Sequence, residues 1–316
     1  MSIATPSIHS GRPPGPKGTL LGGNVRQFRA ALLNFLLETA REYGPLASFR
    51  IGPRRVFLAS GPDLIEQVLV TDAKHYIKHF GARAFKPVLG NGLVTSEGAF
   101  WHRQRKLIQP AFLKIRVQSY AQIMAELTDQ MLDSWFPGKS VQIDYEFEAL
   151  TSKIALKTLF DLEDSGDRQR FSGTLKLAFE LMNVRLRRIF KLPLWVPTPA
   201  NLRLQGAVGE LDRTVEGFIA SGRSRRDIGD DLLSRLLVAQ HEDGTRMSDL
   251  QLRDEAMTLY LAGHETTALT LAWSWYLLSQ NPNVENELVS EWQHVLAGAT
   301  PTADQLHRLP YTAAVI

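Results

Sequence analysis

The chain has 316 residues, 44% of them hydrophobic, so it can bury a large core in one large domain or two smaller ones. Its formal net charge of +3 is too small to indicate a nucleic-acid-binding protein, and we expect no nucleic-acid partner. Because the chain contains no cysteine, disulfides, zinc–thiolate sites and cysteine nucleophiles are excluded.

The first 24 residues are predicted to form an extended, proline-rich lead. Residues 11–18, GRPPGPKG, hold too much proline and glycine for a helix. Residues 1–10 have neither the charged nor the apolar region of a signal peptide, so we expect no transmembrane anchor and a soluble, cytoplasmic protein. Residues 25–316 are expected to form one mainly α-helical domain with a small β-sheet.

Periodicity and turn residues predict the first elements of this domain. In order, they are a helix over 26–43, a hairpin of strands 46–51 and 56–59, a short helix over 62–70 and a loop over 71–95. A loop of this length in a compact domain is usually functional.

The next stretch, residues 96–112, predicts a basic helix. Trp101 and Arg105 are four residues apart and share one face, with positive charge spread beside them at His102, Arg103 and Lys106. From the residues alone, this is a solvated basic helix with one tryptophan in the core.

Further helices are predicted at 117–135, 147–162, 168–188, 202–222 and 230–240, with a short strand at 141–145. The apolar residues of 117–135 have core spacing. Between 168–188 and 202–222 lies the segment FKLPLWVPTPAN, which has exposed apolar candidates at Leu194 and Trp195. It is a core-packed loop, a substrate-entry lid or a shallow membrane contact.

Residues 250–280 predict one long helix of roughly 45 Å that crosses the domain. Ser248 and Gln251 have the form of a capping box, and no proline occurs until Pro282. From 256 to 278 the helix is apolar on nearly every face, which is typical of a helix buried in the core.

The sequence AGHETT at 262–267 interrupts this apolar pattern. Gly263 costs about 1 kcal/mol relative to alanine in a helix, and a buried Glu265 loses its hydration. The Thr266 hydroxyl can bond the Ala262 carbonyl one turn back. Three interpretations follow: a core helix with a glycine for close packing, a transmembrane span, or a polar site for proton relay and a small ligand.

Ala-Gly-x-Glu-Thr-Thr in the middle of a long helix resembles the oxygen-binding helix of the cytochrome P-450 haem-thiolate monooxygenases. The resemblance runs from the proline-rich lead to Ile316, with its landmarks in the family's order. It implies a cytochrome P-450 fold, incomplete at the C-terminus, with a haem b cofactor. It also implies that one atom of O2 is inserted into an apolar small-molecule substrate, with electrons from a ferredoxin or flavin reductase.

The same resemblance assigns roles to individual residues. Thr266 would hydrogen-bond dioxygen, Glu265 would help relay protons, and Val94 would line the substrate pocket. The Trp101 and Arg105 donors would bind a haem propionate, and the segment at 190–201 would be a lid. His264 is expected to be structural or exposed rather than an iron ligand. The residues assigned to cofactor binding are Leu93, Trp101, Arg105, Ala262, Gly263 and Thr267.

Two landmarks of the family do not occur. Residues 309–316 resemble the run that enters the helix of the family's Glu-x-x-Arg pair, but neither that pair nor the cysteine loop follows. The chain is therefore the N-terminal portion of a longer active enzyme, or a non-catalytic remnant that is inert or binds an apolar small molecule. An ending inside a predicted helix favours the first. Without a thiolate, we expect this chain alone to be inactive. A missing C-terminal portion would leave apolar core surface uncovered, so we also expect poor solubility.

Overall fold

The computed structural model describes residues 11–162, 166–187, 192–225, 229–241 and 244–316. Within these ranges the chain is mainly helical with a two-stranded sheet, which confirms the predicted fold class. It divides into two compact units, Met1–Ile77 and Lys78–Ile316.

The first unit contains short helices and the hairpin. Its elements are α1 (Val25–Ala30), α2 (Leu32–Tyr43), β1 (Leu46–Ile51), β2 (Arg54–Ala59) and α3 (Pro62–Glu66), which continues as a π-helical turn over Gln67–Thr71. The strands pair antiparallel and turn at Gly52, as predicted. The extended lead lies beside β1, because Ser48 donates to the carbonyl oxygens of Pro13 and Pro14, each at 2.7 Å. Residues 1–10, from which the absence of a signal peptide was predicted, lie outside the described part of the chain.

The helix predicted over 26–43 is interrupted at Ala31, whose φ of −152° and ψ of 72° are not helical. The break separates α1 from α2, and Phe28 and Phe35 both contact Phe49 of β1, with ring centroids 6.1 and 5.0 Å away. The single-helix prediction is wrong because ring packing outweighs local helix propensity here.

The second unit is helical. Its helices are α4 (Phe80–Ala84), α5 (Lys86–Leu89), α6 (Gly98–Ile108), α7 (Lys114–Ser119), α8 (Ala121–Asp133), α9 (Ile143–Phe160), α10 (Gly166–Arg187), α11 (Pro199–Ser224), α12 (Leu232–Val238), α13 (Asp249–Ser279), α14 (Pro282–Leu296) and α15 (Pro310–Val315). Helix α9 packs along α13, and α10 packs along α11. At their centre the Tyr260 hydroxyl lies 2.8 Å from the Ser152 hydroxyl, and its ring meets Phe171 edge to face at 5.1 Å.

Two of the predicted elements in this unit are wrong. Residues 141–145, predicted as a strand, instead lead into α9, whose first turn carries Asp144 and Glu146 at the positive end of the helix dipole. Residues 117–135, predicted as one core helix, form α7 and α8, which meet at Tyr120. No residue of α8 is buried, although α9 packs along it.

Helix α13 matches the predicted long helix in extent but not in burial. The capping box of Ser248 and Gln251 is present with both of its hydrogen bonds. The first half is buried, whereas in the second half Trp273 is 61% exposed and Leu277 is 56% exposed. The prediction of burial along the whole helix is therefore wrong, because its neighbours cover α13 unevenly. Within the described ranges, no helix, α13 included, is long and apolar enough to cross a membrane.

Candidate active site

The AGHETT sequence lies in the middle of α13. The Thr266 hydroxyl donates to the Ala262 carbonyl oxygen at 2.5 Å, and Thr270 makes the same kind of bond to the Thr266 carbonyl oxygen at 2.9 Å. A side chain built at Gly263 would meet nothing within 4 Å. The predicted back-bond is therefore formed, and it stands beside open space.

This part of α13 is not the buried polar site that the sequence predicted. Five of its six residues are exposed: Ala262, Gly263, Glu265, Thr266 and Thr267. Only His264 is buried. The helices that pack on α13 cover its His264 side and leave its Thr266 side open. Glu265, which was expected to be buried, is therefore exposed.

His264 has a structural role. Its Nε2 lies 3.1 Å from the Glu148 carbonyl oxygen, and its ring stacks on Tyr260 with centroids 5.3 Å apart. Burial lowers the pKa of this imidazole below its ordinary value, so the neutral form is favoured. Among the described residues, no group of three or more potential metal ligands comes together.

Glu265 lines a cavity of about 340 Å³ between α9, α10 and α13. The charged residues that line it besides Glu265 are Asp144, Glu148, Lys176 and Glu180, and its apolar lining includes Leu175 and Phe179. Lys176 and Glu148 form an ion pair of 3.0 Å. The carboxylate of Glu265 thus lies beside a partly polar cavity.

The Trp101–Arg105 pair on α6 is in contact. The Arg105 guanidinium lies 5.2 Å from the centre of the Trp101 ring, and Lys78 Nζ lies 5.3 Å from the same ring. Trp101 is half-buried rather than part of the core, and Arg105 is exposed. Two cations therefore flank one indole ring.

Lys78 connects this pair to Leu93. Its Nζ donates to the carbonyl oxygens of Leu93 and Ser96, the latter at 2.8 Å. Leu93 is half-buried, and Val94 beside it is 39% exposed. The structure thus brings Leu93, Trp101 and Arg105 into one cluster around Lys78, while Ala262, Gly263, Thr266 and Thr267 lie together on α13.

Sequence reasoning missed two acidic residues near the start of α13. Asp254 Oδ2 accepts the Asn91 backbone N–H at 2.7 Å, and Glu255 Oε2 accepts the Leu93 backbone N–H at 2.9 Å. Burial raises the pKa of Glu255 to about 7, although the Leu93 N–H opposes that shift. The available signal was the charged run Arg253-Asp254-Glu255 in a largely apolar helix.

The segment before α11 is fastened to its surroundings. Residues 188–191, including the first two residues of the predicted lid, lie outside the described chain. In the remainder, the Asn201 amide donates to the carbonyl oxygens of Pro193 and Val196 at 2.9 and 2.8 Å. Leu194 packs against the core, while Trp195 is 80% exposed. The described part has features of a core-packed loop with one exposed aromatic ring.

The chain is similar to proteins of known family along nearly its whole length. A family model described as Cytochrome P450 matches residues 13–316. Cyclooctat-9-en-7-ol 5-monooxygenase of Streptomyces melanosporofaciens is 32% identical over 99% of this chain and 70% of that protein. Pentalenene oxygenase of Streptomyces avermitilis is 33% identical over 93% of this chain and 65% of that protein.

Solved structures agree with this similarity. The haem domain of cytochrome P450DA superimposes with a TM-score of 0.83 at 26% identity, over 96% of this chain and 68% of that one. The chain thus spans about two thirds of the length of the proteins it matches. The resemblance inferred from AGHETT and the Trp101–Arg105 pair is confirmed at the level of the family. The chain belongs to the cytochrome P450 family.

Proposed function

We propose that the whole protein is a haem-dependent monooxygenase that inserts one atom of O2 into an apolar organic substrate. In this proposal the chain contributes the oxygen side of the haem site and part of the substrate pocket. The observation that carries it is the Thr266–Ala262 hydrogen bond, which stands on an open helix face beside Gly263. Gly263 leaves room beside the Thr266 hydroxyl on this face.

The described residues fit a haem in part. Haem, when bound, supplies the redox and oxygen chemistry. Trp101 and Arg105 would bind a propionate, since both carry N–H donors and no carboxylate pairs with Arg105 among the described residues. Leu93, Ala262, Gly263 and Thr267 would contact the ring system. The position of the thiolate ligand is not matched, because the sequence contains no cysteine.

The polar residues of α13 would handle protons. The Thr266 Oγ1 proton is held by the Ala262 carbonyl oxygen, so the hydroxyl oxygen is oriented to accept a hydrogen bond from a ligand or water on the open face. Glu265 lies beside the cavity that also holds Glu148 and Lys176, which supports a role in exchanging protons with water there. We therefore propose that Thr266 positions the proton at the reaction site and that Glu265 supplies this proton.

We infer that the substrate is an apolar, polycyclic hydrocarbon of the terpene type. Two relatives are named for the oxidation of cyclooctat-9-en-7-ol and of pentalenene. Val94, exposed on the loop beside Leu93, would contact this substrate. An apolar pocket discriminates by shape, at about 1–3 kcal/mol for each methylene that fits or clashes.

We propose a ferredoxin or a flavin reductase domain as the electron donor. His102, Arg103 and Lys106 are exposed on α6, and a cluster of positive charge favours an acidic partner. Arg103 lies over the ring of Phe100 at 5.9 Å, which holds part of this charge in place.

The alternative function is that of a non-catalytic protein that binds an apolar small molecule. The observation in its favour is the lack of cysteine in all 316 residues. Sequencing the gene beyond the codon for Ile316, and expressing the reading frame found there with a supply of haem, separates the two. A reduced carbon monoxide complex with the absorption of thiolate-ligated haem supports the monooxygenase. If no frame supplies a cysteine and no haem binds, the monooxygenase proposal is overturned.

A further inference from the structure

The loop over residues 90–96 is attached to the buried half of α13 by two carboxylates. Asp254 is 6% exposed and Glu255 is 1% exposed. Each accepts a backbone N–H from the loop, Asp254 from Asn91 and Glu255 from Leu93. These bonds go to backbone groups, so they fix the path of the loop whatever side chains it carries.

The Leu93 peptide groups are held from both sides. Glu255 accepts the N–H, and Lys78 Nζ donates to the carbonyl oxygen and also to the Ser96 carbonyl oxygen at 2.8 Å. Within the loop, Thr95 Oγ1 donates to the Gly90 carbonyl oxygen at 2.7 Å. The direction in which the neighbouring Val94 side chain stands is therefore set by a small group of polar contacts.

Two glycines allow the loop to come this close to α13. A Cβ at Gly90, whose φ is +58°, would lie 1.8 Å from Asp254 Oδ1. A Cβ at Gly92 would lie 2.2 Å from Thr258 Oγ1 and 2.5 Å from the Asp254 carbonyl oxygen. Gly90 and Gly92 thus lie where the loop contacts α13, and a side chain at either position would push the loop away from the helix.

Burying two neighbouring carboxylates is costly unless each is well paired. Asp254 has Arg253, whose Nη1 is 3.0 Å away and which also pairs with Asp212. The groups that face Glu255 are Lys78, Asp254 and the Leu93 N–H, with Glu97 acting on Lys78. A leucine would fill the space at positions 254 and 255 without this desolvation cost. We therefore look for the role of the two carboxylates in the hydrogen bonds that they accept from the loop.

We propose that Asp254 and Glu255 are positioning residues that hold the 90–96 loop, and with it Leu93 and Val94, at the wall of the substrate pocket. The inference rests on the proposed function for the identity of that pocket. The attachment itself does not depend on haem, because every group in it belongs to the chain.

Hydrogen–deuterium exchange of the full chain tests the attachment directly. Glu255→Ala removes the acceptor of the Leu93 N–H, and the exchange of this amide is expected to accelerate by about tenfold, in line with the loss of one hydrogen bond. Glu255→Gln keeps an acceptor oxygen and is expected to restore most of the protection. Unchanged exchange over residues 90–96 in Glu255→Ala, with α13 still protected, overturns the proposal.

The control is Glu291, another carboxylate that accepts backbone N–H groups, on α14. Glu291 accepts the backbone N–H groups of Tyr311 and Thr312 at 2.8 and 2.9 Å. Glu291→Ala is expected to accelerate exchange at these two amides and to leave residues 90–96 unchanged. If Glu255→Ala does not fold, Asp254→Ala carries the test, because it removes the acceptor of the Asn91 N–H. Exchange at Asn91 is expected to accelerate in that variant, and unchanged exchange there overturns the proposal.

A second measurement separates this inference from the proposed function. In the haem-loaded whole protein, the dissociation constant of 4-phenylimidazole, an aryl azole, is compared between the wild type and Glu255→Ala. A severalfold change supports the loop as pocket wall. Faster exchange of the loop with no change in azole binding overturns the pocket role of Asp254 and Glu255, while the monooxygenase proposal stands or falls on the carbon monoxide spectrum.

Discussion

Thr266 and Ala262 are joined by a hydrogen bond of 2.5 Å between the threonine hydroxyl and the carbonyl oxygen one turn earlier. The bond fixes the hydroxyl proton inside the helix and leaves the oxygen lone pairs on the open side. A second bond of the same type, from Thr270 to the Thr266 carbonyl oxygen, lies one turn further on. The two threonines thus form a matched pair for mutagenesis.

Thr266→Ala is expected to reduce the product formed per O2 consumed, by about tenfold or more, because it removes a positioned hydroxyl of the kind used in general acid–base catalysis. Thr270→Ala removes the same chemical group from an exposed position on the same helix and is expected to leave this ratio unchanged. The measurement compares oxygen uptake with product in the whole protein. An equal loss in both variants would mean that helix stability, rather than the Thr266 hydroxyl, is responsible.

Arg105→Ala is expected to weaken haem retention about tenfold or more, since a charge-assisted hydrogen bond to a propionate contributes about 1.5–3 kcal/mol. Arg103→Ala, which removes another exposed arginine two residues earlier on the same helix, is the control and should retain haem normally. The readout is the rate of haem transfer to excess apomyoglobin. If both variants lose haem at the wild-type rate, Arg105 does not bind the propionate.

Local features of this fold could be predicted from the sequence. The capping box at Ser248 and the back-bond of Thr266 each connect residues three or four apart, so the helix itself brings the partners together. The hairpin at Gly52 is local in the same sense. The strand predicted at 141–145 failed because a short apolar run fits both a strand and the entry to a helix.

Features that depend on distant parts of the chain could not be predicted. The Asp254 carboxylate and the Asn91 N–H are 163 residues apart in sequence, so nothing local indicates that they meet. The exposure of Trp273 is another example, because an apolar helix pattern does not say which of its faces receives a neighbour. For the same reason the polar site around Glu265 was predicted as buried and is exposed.

Glu265→Gln is expected to slow turnover by about tenfold to a hundredfold while leaving the KM for substrate unchanged, because it removes a proton donor and retains the shape of the side chain. The deuterium solvent isotope effect on turnover should rise in this variant. Glu216→Gln, an exposed carboxylate on α11, is the control. A variant with normal turnover and an unchanged isotope effect would show that protons reach the site without Glu265.

Charge reversal of Arg103 and Lys106 is expected to slow electron transfer from an acidic ferredoxin, chiefly through the association rate. Rising ionic strength should slow the wild type and have much less effect on the double variant, since exposed charges are screened over about 8 Å at physiological ionic strength. Stopped-flow reduction at several salt concentrations gives the comparison. Identical salt dependence in the two proteins would place the docking surface elsewhere.

The pH dependence of stability offers a test of Glu255 that needs no haem. Burial raises its pKa to about 7 from 4.5, so the folded chain keeps a proton that the unfolded chain releases at lower pH. A group with a raised carboxyl pKa favours folding when it is protonated. This contribution is fully present below pH 4.5 and is lost as the pH rises through about 7.

Glu255→Gln removes this titration. Denaturant unfolding at pH 5 and pH 8 should show the wild type losing stability relative to the variant on the alkaline side, by up to about 3 kcal/mol. The exposed Glu216→Gln variant should follow the wild type at both values. If the wild type and Glu255→Gln change in parallel between the two pH values, the carboxylate carries its charge in the folded chain over the whole range. Its contact with the Leu93 N–H would then be that of an ionised acceptor throughout.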